Sequence, residues 1–408
     1  MDRQELLKAS AVAARNLRAN LRPLKGPDGR ERTLLVAGPG KYHSVWTRDF
    51  CFAAGGLLAA GEARAVRDTL DAILARQRPD GLLPRLLDSF HPGMRFARAV
   101  LGGLVPLREP LAPNFLSDQL VTAVDSNSLV VWTAAHYALR ADNLAWAGLA
   151  LPKLDLAMAA YDALERDGLV HQPPCSDWKD KTPARRGAVF FTQLLRWRAM
   201  RSLEDLCRAM GRARTAATWK DRARTYARRL HRGFWDAERG FFADSLKHRL
   251  LSSEANLAAA AWGFADETQA AAIVRAMDRL GLWTPWGPRT SQRYPLRGKS
   301  PLIILAGVPG YGDDFVRLWI SALALRVLHR LGKRTLRDRI ALGVCGLLNS
   351  SGRVSEVYRP EDGREVRAWL YRSESPFSWS AGMLLEAFHE LAAAADTPQQ
   401  AALAGGGR

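Results

Sequence analysis

The side chains best suited to chemistry fall into four clusters, each in a loop or at a helix start. YHSVWTRDF, Tyr42–Phe50, places Trp46, Arg48 and Asp49 within four positions. Asp49 could serve a helix N-terminus, where an acid favours the macrodipole. A Trp–Arg–Asp set also suits a sugar, with an indole for the apolar ring face and a charged pair for vicinal hydroxyls. PPCSDWKDKTPARRG, Pro173–Gly187, sets Asp177 and Asp180 around Trp178. These acids could cap a turn or join a surface salt-bridge cluster with Lys181, Arg185 and Arg186. A carboxyl beside an indole is also partly desolvated, which raises its pKa and makes it a usable general acid. LWTPWGPRTSQRYP, Leu282–Pro295, carries Trp283, Trp286 and Tyr294, more aromatic surface than an irregular segment normally needs. SGRVSEVYRPEDG and RSESPFSWSAG supply Glu356, Glu361 and Glu374. Glu361 lies in turn chemistry, Glu356 in an alternating apolar stretch, and Glu374 just before a helix start. Two carboxylates from distant loops, one protonated and one ionised, over an aromatic-lined cleft are what glycoside hydrolysis requires.

Helices must position these loops. Apolar residues recur at i, i+3, i+4 and i+7. They predict helices at Arg3–Leu21, Val45–Gly61, Glu62–Gln77, Ser128–Ala141, Lys153–Asp167, Ala188–Gly211, Arg212–Phe234, Ser253–Ala265, Glu267–Leu280, Asp313–Leu331, Thr335–Asn349 and Pro376–Ala394. Connections of a few residues make antiparallel hairpins of them. Four long segments rich in Gly, Pro and aromatics, Arg78–Asn127, Gly168–Gly187, Gly281–Gly312 and Ser350–Ser375, are expected to gather on one face. Strand signals are confined to Arg32–Pro39 and Arg353–Pro360. Residues 1–394 read as one domain and 395–408 as a flexible tail.

Composition narrows the class. The chain has 408 residues, 48% apolar and 25% charged, an ordinary globular balance. Cys51, Cys175, Cys207 and Cys345 are scattered without a CxxC pair, which argues against a disulfide scaffold or zinc ribbon. No apolar run is long enough to span a membrane, and MDRQELLKAS lacks a signal-peptide core, so a cytoplasmic protein is expected. The net charge of +18 invites a nucleic-acid partner, but the basic residues are spread along the chain. The densest run, Arg212–Arg232, reads as the solvated face of a helix. Neither nucleic acid nor membrane is expected as a partner. The histidines are scattered, so no metal or other cofactor is expected, and His43 and His171 read as hydrogen-bonding loop residues.

The order of the clusters resembles the six-hairpin (α/α)6 glycosidases. The likeness is to the glucosidase domain of glycogen debranching enzymes and to bacterial relatives of processing α-glucosidase. WTRDF is similar to the W-x-R-D segment, RPDGLLPR to the DG-x-(I/L)-P loop, and VDSNSLVVW to the D-S-x-x-x-(W/F) helix start. SDWKDKTPARRG resembles the W-x-D…R-x-G loop, FWDAERGFFAD the W-x-x-x-x-G-(F/Y)-F-x-D segment and TPWGPRT the T-P-(Y/W)-G-x-R-(T/S) turn. SEVYRPEDG resembles E-x-Y-x-P-x-(T/D)-G, and SPFSWSAGMLLEA the F-x-W-(S/T)-A helix start. GYGDDFVRLWISA departs from the usual Y-x-x-G-x-x-W stretch by carrying Asp313 and Asp314 in place of a more open Gly-rich run.

The resemblance implies an all-α toroid of six hairpins and an inverting hydrolase of α-glucosidic bonds in a small or branched glucoside. It assigns Asp180 as general acid and Glu356 as general base. Trp46, Arg48, Asp49, Asp177, Trp178, Arg186, Trp286, Glu374 and Trp379 become sugar-binding candidates. A phosphorylase or a polysaccharide lyase on the same toroid is the rival enzyme, with Arg185 and Arg186 as possible anion binders. A non-catalytic carbohydrate-binding helical repeat is the remaining rival, although no repeated motif is visible.

Overall fold

A computed structural model describes residues 3–26, 28–91, 94, 97 and 106–405, with 394–405 as backbone only. The helices are α1 (Arg3–Arg18), α2 (Thr47–Ala59), α3 (Ala63–Leu74), α4 (Ser126–Arg140), α5 (Leu144–Ala159), α6 (Phe190–Ala209), α7 (Ala213–Phe234), α8 (Ser253–Ala261), α9 (Glu267–Arg279), the short α10 (Pro301–Leu305), α11 (Leu318–Arg330), α12 (Arg334–Ser351) and α13 (Ser378–Gly405). Two kinds of helix alternate. In α2 every residue from Thr47 to Leu57 is buried, whereas α7 buries only Ala216, Trp219, Ala223, Tyr226, Leu230 and Phe234. A helix buried all round belongs inside, and one with a single apolar stripe belongs outside. Accordingly α2, α4, α6, α8, α11 and α13 pack in a closed inner ring, with α13 against α2. The other long helices form the outer ring, with α1 packing on α12 and α13.

This is an (α/α)6 toroid, as the sequence implied. Five of the six inner helices run into their outer partners through short turns: Ala60–Glu62, Ala141–Asn143, Met210–Arg212, Trp262–Asp266 and Leu331–Lys333. Gly61, Gly211, Gly263 and Gly332 take φ of +81°, +71°, +74° and +64°, the left-handed conformation that ends a helix at little cost. Every outer-to-inner connection must then lie at the opposite end. The long loops therefore share one face, together with the N-termini of all six inner helices.

One ring from each inner helix fills the axis. Phe52 stacks on Trp379 with centroids 4.6 Å apart, and Trp379 stacks on Trp319 at 4.5 Å. Phe191 lies parallel to Phe52 at 6.4 Å, Trp132 meets Phe52 edge-on at 5.7 Å, and Trp262, capping α8, meets Trp132 at 5.1 Å. The toroid therefore has a floor rather than a channel.

Several boundaries differ from expectation. The first helix ends at Arg18, and Leu21–Lys25 pairs antiparallel with Glu31–Leu35. The fifth helix begins at Leu144, well before Lys153, because the Asn143 side chain caps it and Pro152 is accommodated in its interior. The helix expected from Asp313 starts at Leu318, since Asp313 and Asp314 are held in the preceding loop by Lys299, Arg289 and Arg293. Arg353–Pro360 is extended but forms no regular strand: Tyr358 bridges Val316 and Glu365, and single backbone hydrogen bonds tie Val354 to Phe377, Glu356 to Glu374 and Val357 to Val366. The stretch read as a tail from 395 continues the backbone of α13 to Gly405.

Closure of the ring depends on a backbone contact. A Cβ at Gly56 would stand 2.3 Å from the Gly382 carbonyl oxygen, and one at Gly382 would stand 2.5 Å from Ala53 Cα. An exposed helical Gly→Ala change normally stabilises by about 1 kcal/mol. Gly56→Ala should instead lower stability by roughly 1–3 kcal/mol through overpacking, seen as a reduced midpoint in thermal or urea unfolding.

Candidate active site

The inner helices deliver their N-terminal residues to a narrow cavity at the loop face. Tyr42, Trp46, Arg48, Asp49, Arg85, Asp118, Trp178, Asp180, Lys181, Tyr311, Arg317, Glu356, Phe377 and Trp379 line it. Asp180 and Glu356, far apart in sequence and on separate loops, therefore face the same space. Trp46, Arg48, Asp49, Trp178 and Trp379 join them, as the sequence suggested.

Glu356 is almost wholly buried, at 1% exposure, and surrounded by donors. Tyr42 and Tyr311 donate their phenolic hydrogens to Oε1, Tyr42 at 3.2 Å. Tyr371 donates to Oε2 at 2.8 Å, and Lys41 Nζ lies 3.2 Å from the same oxygen. Burial pushes this carboxyl up, but Lys41, Arg317 and the phenol hydrogen bonds outweigh it and hold its pKa below the ordinary glutamate value. Burial and the Glu356 charge push the pKa of Tyr42, Tyr311 and Tyr371 upward, so all three phenols stay protonated donors.

Asp180 meets Arg85, which donates from Nη2 to Oδ2 at 2.7 Å. Arg85 also reaches Asp118 Oδ1 at 3.0 Å and lies 4.7 Å above the Trp46 ring. The acid beside an indole therefore has a guanidinium partner that the sequence reading lacked. No donor reaches Asp180 Oδ1 among the described residues, so that oxygen remains for a bound molecule.

Arg48 and Asp49 divide their work. Arg48 clamps Asp125 at the start of α4, with Nε to Oδ2 at 2.6 Å and Nη2 to Oδ1 at 2.9 Å. Asp125 is the first residue of DSNSLVV, so the motif carries the partner of Arg48. Asp49 keeps its carboxyl in the cavity. Burial raises its pKa to about 7 against the opposing pull of Arg48, with Glu356 adding to the rise.

Four candidates lie elsewhere. Asp177 is not in the cavity but in a buried network behind it, where Arg185 lies 3.2 Å from Asp177, 3.4 Å from Asp244 and 3.1 Å from Glu254. Lys179 completes this network 3.0 Å from Glu254. Burial raises the Asp177 pKa despite Arg185. Arg186 is exposed, beside His171 and outside the cavity, so the basic pair builds no anion site there. Trp286 packs under the Glu361–Gly363 turn, where a Cβ on Gly363 would meet its ring at 2.5 Å, so it is packing rather than a cavity wall. Glu374 lines the outer cleft and accepts the Gly40 backbone N–H, fixing the loop that presents Lys41 and Tyr42. His43 bonds the Pro39 carbonyl at 3.2 Å, a loop role as expected.

Sequence reasoning passed over Lys41, Arg85, Asp118, Tyr311, Arg317 and Tyr371 as site residues. Arg85 and Tyr311 sit in segments that it quoted, but nothing in one sequence pairs Tyr311 with Tyr371 on one carboxylate.

No family model and no curated protein matches the chain. Solved structures do. The chain is similar over 93% of its length to 99% of the GH63 mannosylglycerate hydrolase from Thermus thermophilus in complex with Tris and D-glycerate, with a TM-score of 0.67 and 17% identity. It is similar over 94% of its length to 63% of a rhamnosidase from Klebsiella oxytoca with rhamnose bound, at 0.66 and 14%. An uncharacterized conserved protein from Thermus thermophilus is similar at 0.65 and 18%, over 93% of this chain and 99% of that one. The chain has the fold of the (α/α)6 glycosidases. Among the described residues no helix is long and apolar enough to cross a membrane, and no cluster of His, Cys, Asp or Glu could hold a metal.

Two outcomes follow. Tyr371→Phe removes a donor from Glu356, so burial should gain weight and that carboxyl should titrate higher. The acidic limb of the kcat/KM profile, which reports an essential base in the free protein, should move to higher pH. Asp49→Asn removes a group whose folded pKa is raised. The stabilisation contributed by that raised pKa is full below the unfolded carboxylate range and is lost as pH rises through about 7. Asp49→Asn should therefore match the parent in melting temperature near pH 4 and exceed it at pH 8, while losing activity at both.

Proposed function

We propose that the chain is an inverting glycoside hydrolase acting on the α-glucosidic bond of a small glucoside. The observation that carries the reading is one narrow cavity holding two carboxylates in unlike environments. In this reading Glu356, kept ionised by Lys41 and Arg317, activates water. Asp180, oriented by Arg85 through Oδ2, uses its other oxygen to protonate the leaving oxygen. Asp49 grips the sugar hydroxyls. Trp46, Trp178 and Trp379 supply apolar walls, and with Phe377 they keep bulk water from the reacting bond. The N-termini of α2, α11 and α13 open onto the cavity, and their partial positive charge favours the anionic base.

Support also comes from fold neighbours whose names include mannosylglycerate hydrolase and rhamnosidase, and from one seen in complex with glucose. A lyase base would need a phenol or imidazole that gives up its proton readily, and the three phenols here are held protonated. A phosphorylase would need free cations at the position of the base, and Lys41 is already engaged by Glu356. We further propose a cytoplasmic location, supported by four cysteines that are all buried and free.

The experiment is a panel of α-glucosides, including trehalose, isomaltose, glucosylglycerate and limit dextrin, with product anomer detected by proton NMR. β-Glucose should appear first. Asp180→Asn and Glu356→Gln should each lower turnover by about 10³-fold or more while substrate still binds, in line with the general acid–base contribution and the charge it handles. Initial release of α-glucose, or a strict requirement for phosphate, would sink the inverting hydrolase.

A further inference from the structure

The narrow cavity opens into a second, much larger space. Tyr42, Asp118, Lys181 and Tyr311 border both, so the two are continuous. The volume that water centres can occupy is about 70 Å³ in the inner cavity and about 800 Å³ in the outer cleft. The outer figure falls in the range of sites that enclose a whole small molecule. A group leaving a sugar held in the inner cavity would lie in the outer cleft.

One wall of that cleft is apolar and exposed. It is formed by Leu302 and Ala306 of the α10 segment and by Trp369 and Leu370, the tip of a hairpin in which Arg367–Ala368 pairs with Tyr371–Arg372. Of the thirteen tryptophans in the chain, Trp369 alone is exposed, at 74%, with Leu302 at 57% and Leu370 at 55%. This exposure is built rather than loose. Trp369 Nε1 donates to the Leu305 carbonyl at 2.7 Å, tying the hairpin to α10. Beneath them Ile303, Val308, Val357 and Val366 form a small core of their own, separate from that of the toroid. The acids of the cleft are engaged within the protein: Asp118 by Arg85 and Lys181, Glu365 by Ser355 and Arg367, and Glu374 by Gly40. The carboxylates of the cleft are thus spoken for, and its exposed hydrocarbon is gathered on the one wall of Leu302, Trp369 and Leu370. Arg353 and Arg372 add exposed guanidinium groups to the lining.

We infer that the outer cleft is a leaving-group site for an apolar aglycone, an alkyl or aryl chain seated on Leu302, Trp369 and Leu370, rather than for a second sugar. The inference rests on the glucosidase reading above and names its substrate class. The same hairpin carries Tyr371, a donor to Glu356, so an aglycone resting on the tip also steadies the base. Binding energy gained on a remote part of the substrate can then be realised at the reacting bond.

The full-length protein would be assayed with alkyl α-glucosides from methyl to octyl. kcat/KM should rise by about fourfold for each methylene that the cleft buries. Trp369→Ala and Leu370→Ser, both at exposed positions, should each flatten that rise. Equal kcat/KM across the series, or a preference for maltose over hexyl glucoside, overturns the inference and leaves the hydrolase reading intact. A second arm needs no turnover: calorimetric titration of Glu356→Gln protein with n-hexanol should show binding that Trp369→Ala removes. Such binding without hydrolysis of any glucoside would sink the glucosidase reading and keep an apolar ligand site. No hexanol binding overturns the inference whatever the activity. So does sedimentation showing that Trp369 is buried in a self-associated form.

Discussion

The molecule is organised around an axis that must be filled. Six inner helices in a ring leave a lumen, and an empty or wet lumen would forfeit the dispersion contacts on which a packed interior depends. Phe52, Trp132, Phe191, Trp262, Trp319 and Trp379 close it, one ring from each helix. Such pairs contribute about 0.5–1.5 kcal/mol each beyond the area that they bury. The plug has a second consequence. Trp379 is both part of it and a wall of the cavity, and Trp178 packs edge-on against Trp319 at 5.2 Å. The floor under the carboxylates is therefore aromatic, and every charge above it is partly stripped of water.

That desolvation explains why the charged groups come in sets. Buried carboxylates persist when donors and cations compensate them. Glu356 has three phenols and Lys41, Asp180 has Arg85, and Arg48 has Asp125 in a bidentate pair. For Asp49 burial outweighs a backbone hydrogen bond and the charges of Arg48 and Arg85, and its pKa is raised to about 7. Within one cavity Glu356 is thus held below the ordinary carboxyl range and Asp49 above it, the kind of separation that acid–base chemistry uses. Behind them Arg185 and Lys179 join Asp177, Asp244 and Glu254 in a wholly buried network. It sets two cations against three carboxyls, and loss of a cation would leave unpaired buried charge at a cost of about 3–5 kcal/mol. That network supports the Ser176–Arg185 loop and with it the placement of Trp178 and Asp180.

The loop face carries a gradient of character. Deep in the ring the lining is aromatic and ionic. Outward it becomes an apolar shelf with its own core of Ile303, Val308, Val357 and Val366. The hairpin that carries the shelf also carries Tyr371, a donor to Glu356, so the two parts of the site are mechanically joined.

The helical count, the hairpin pairing and the single face of long loops were all legible in the sequence. Period 3.6 and turn length are local properties, and short turns leave antiparallel packing as the compact solution. The residues Trp46, Asp49, Trp178, Asp180, Glu356 and Trp379 were legible as members of ordered motifs. Tertiary structure decided which acids meet. Asp177 and Asp180 are three positions apart, yet one is sealed behind the wall with Arg185 and the other opens into the cavity. Loop geometry makes that choice, and no periodic signal encodes it. The same holds for Trp286 and Arg186, whose residue types suited a site but whose loops turn them elsewhere. The donors of Glu356 come from the segments around positions 42, 311 and 371, and only ring closure brings those segments together. A pKa set by burial and by such distant partners is a property of the folded assembly, because desolvation exists only once the assembly is made.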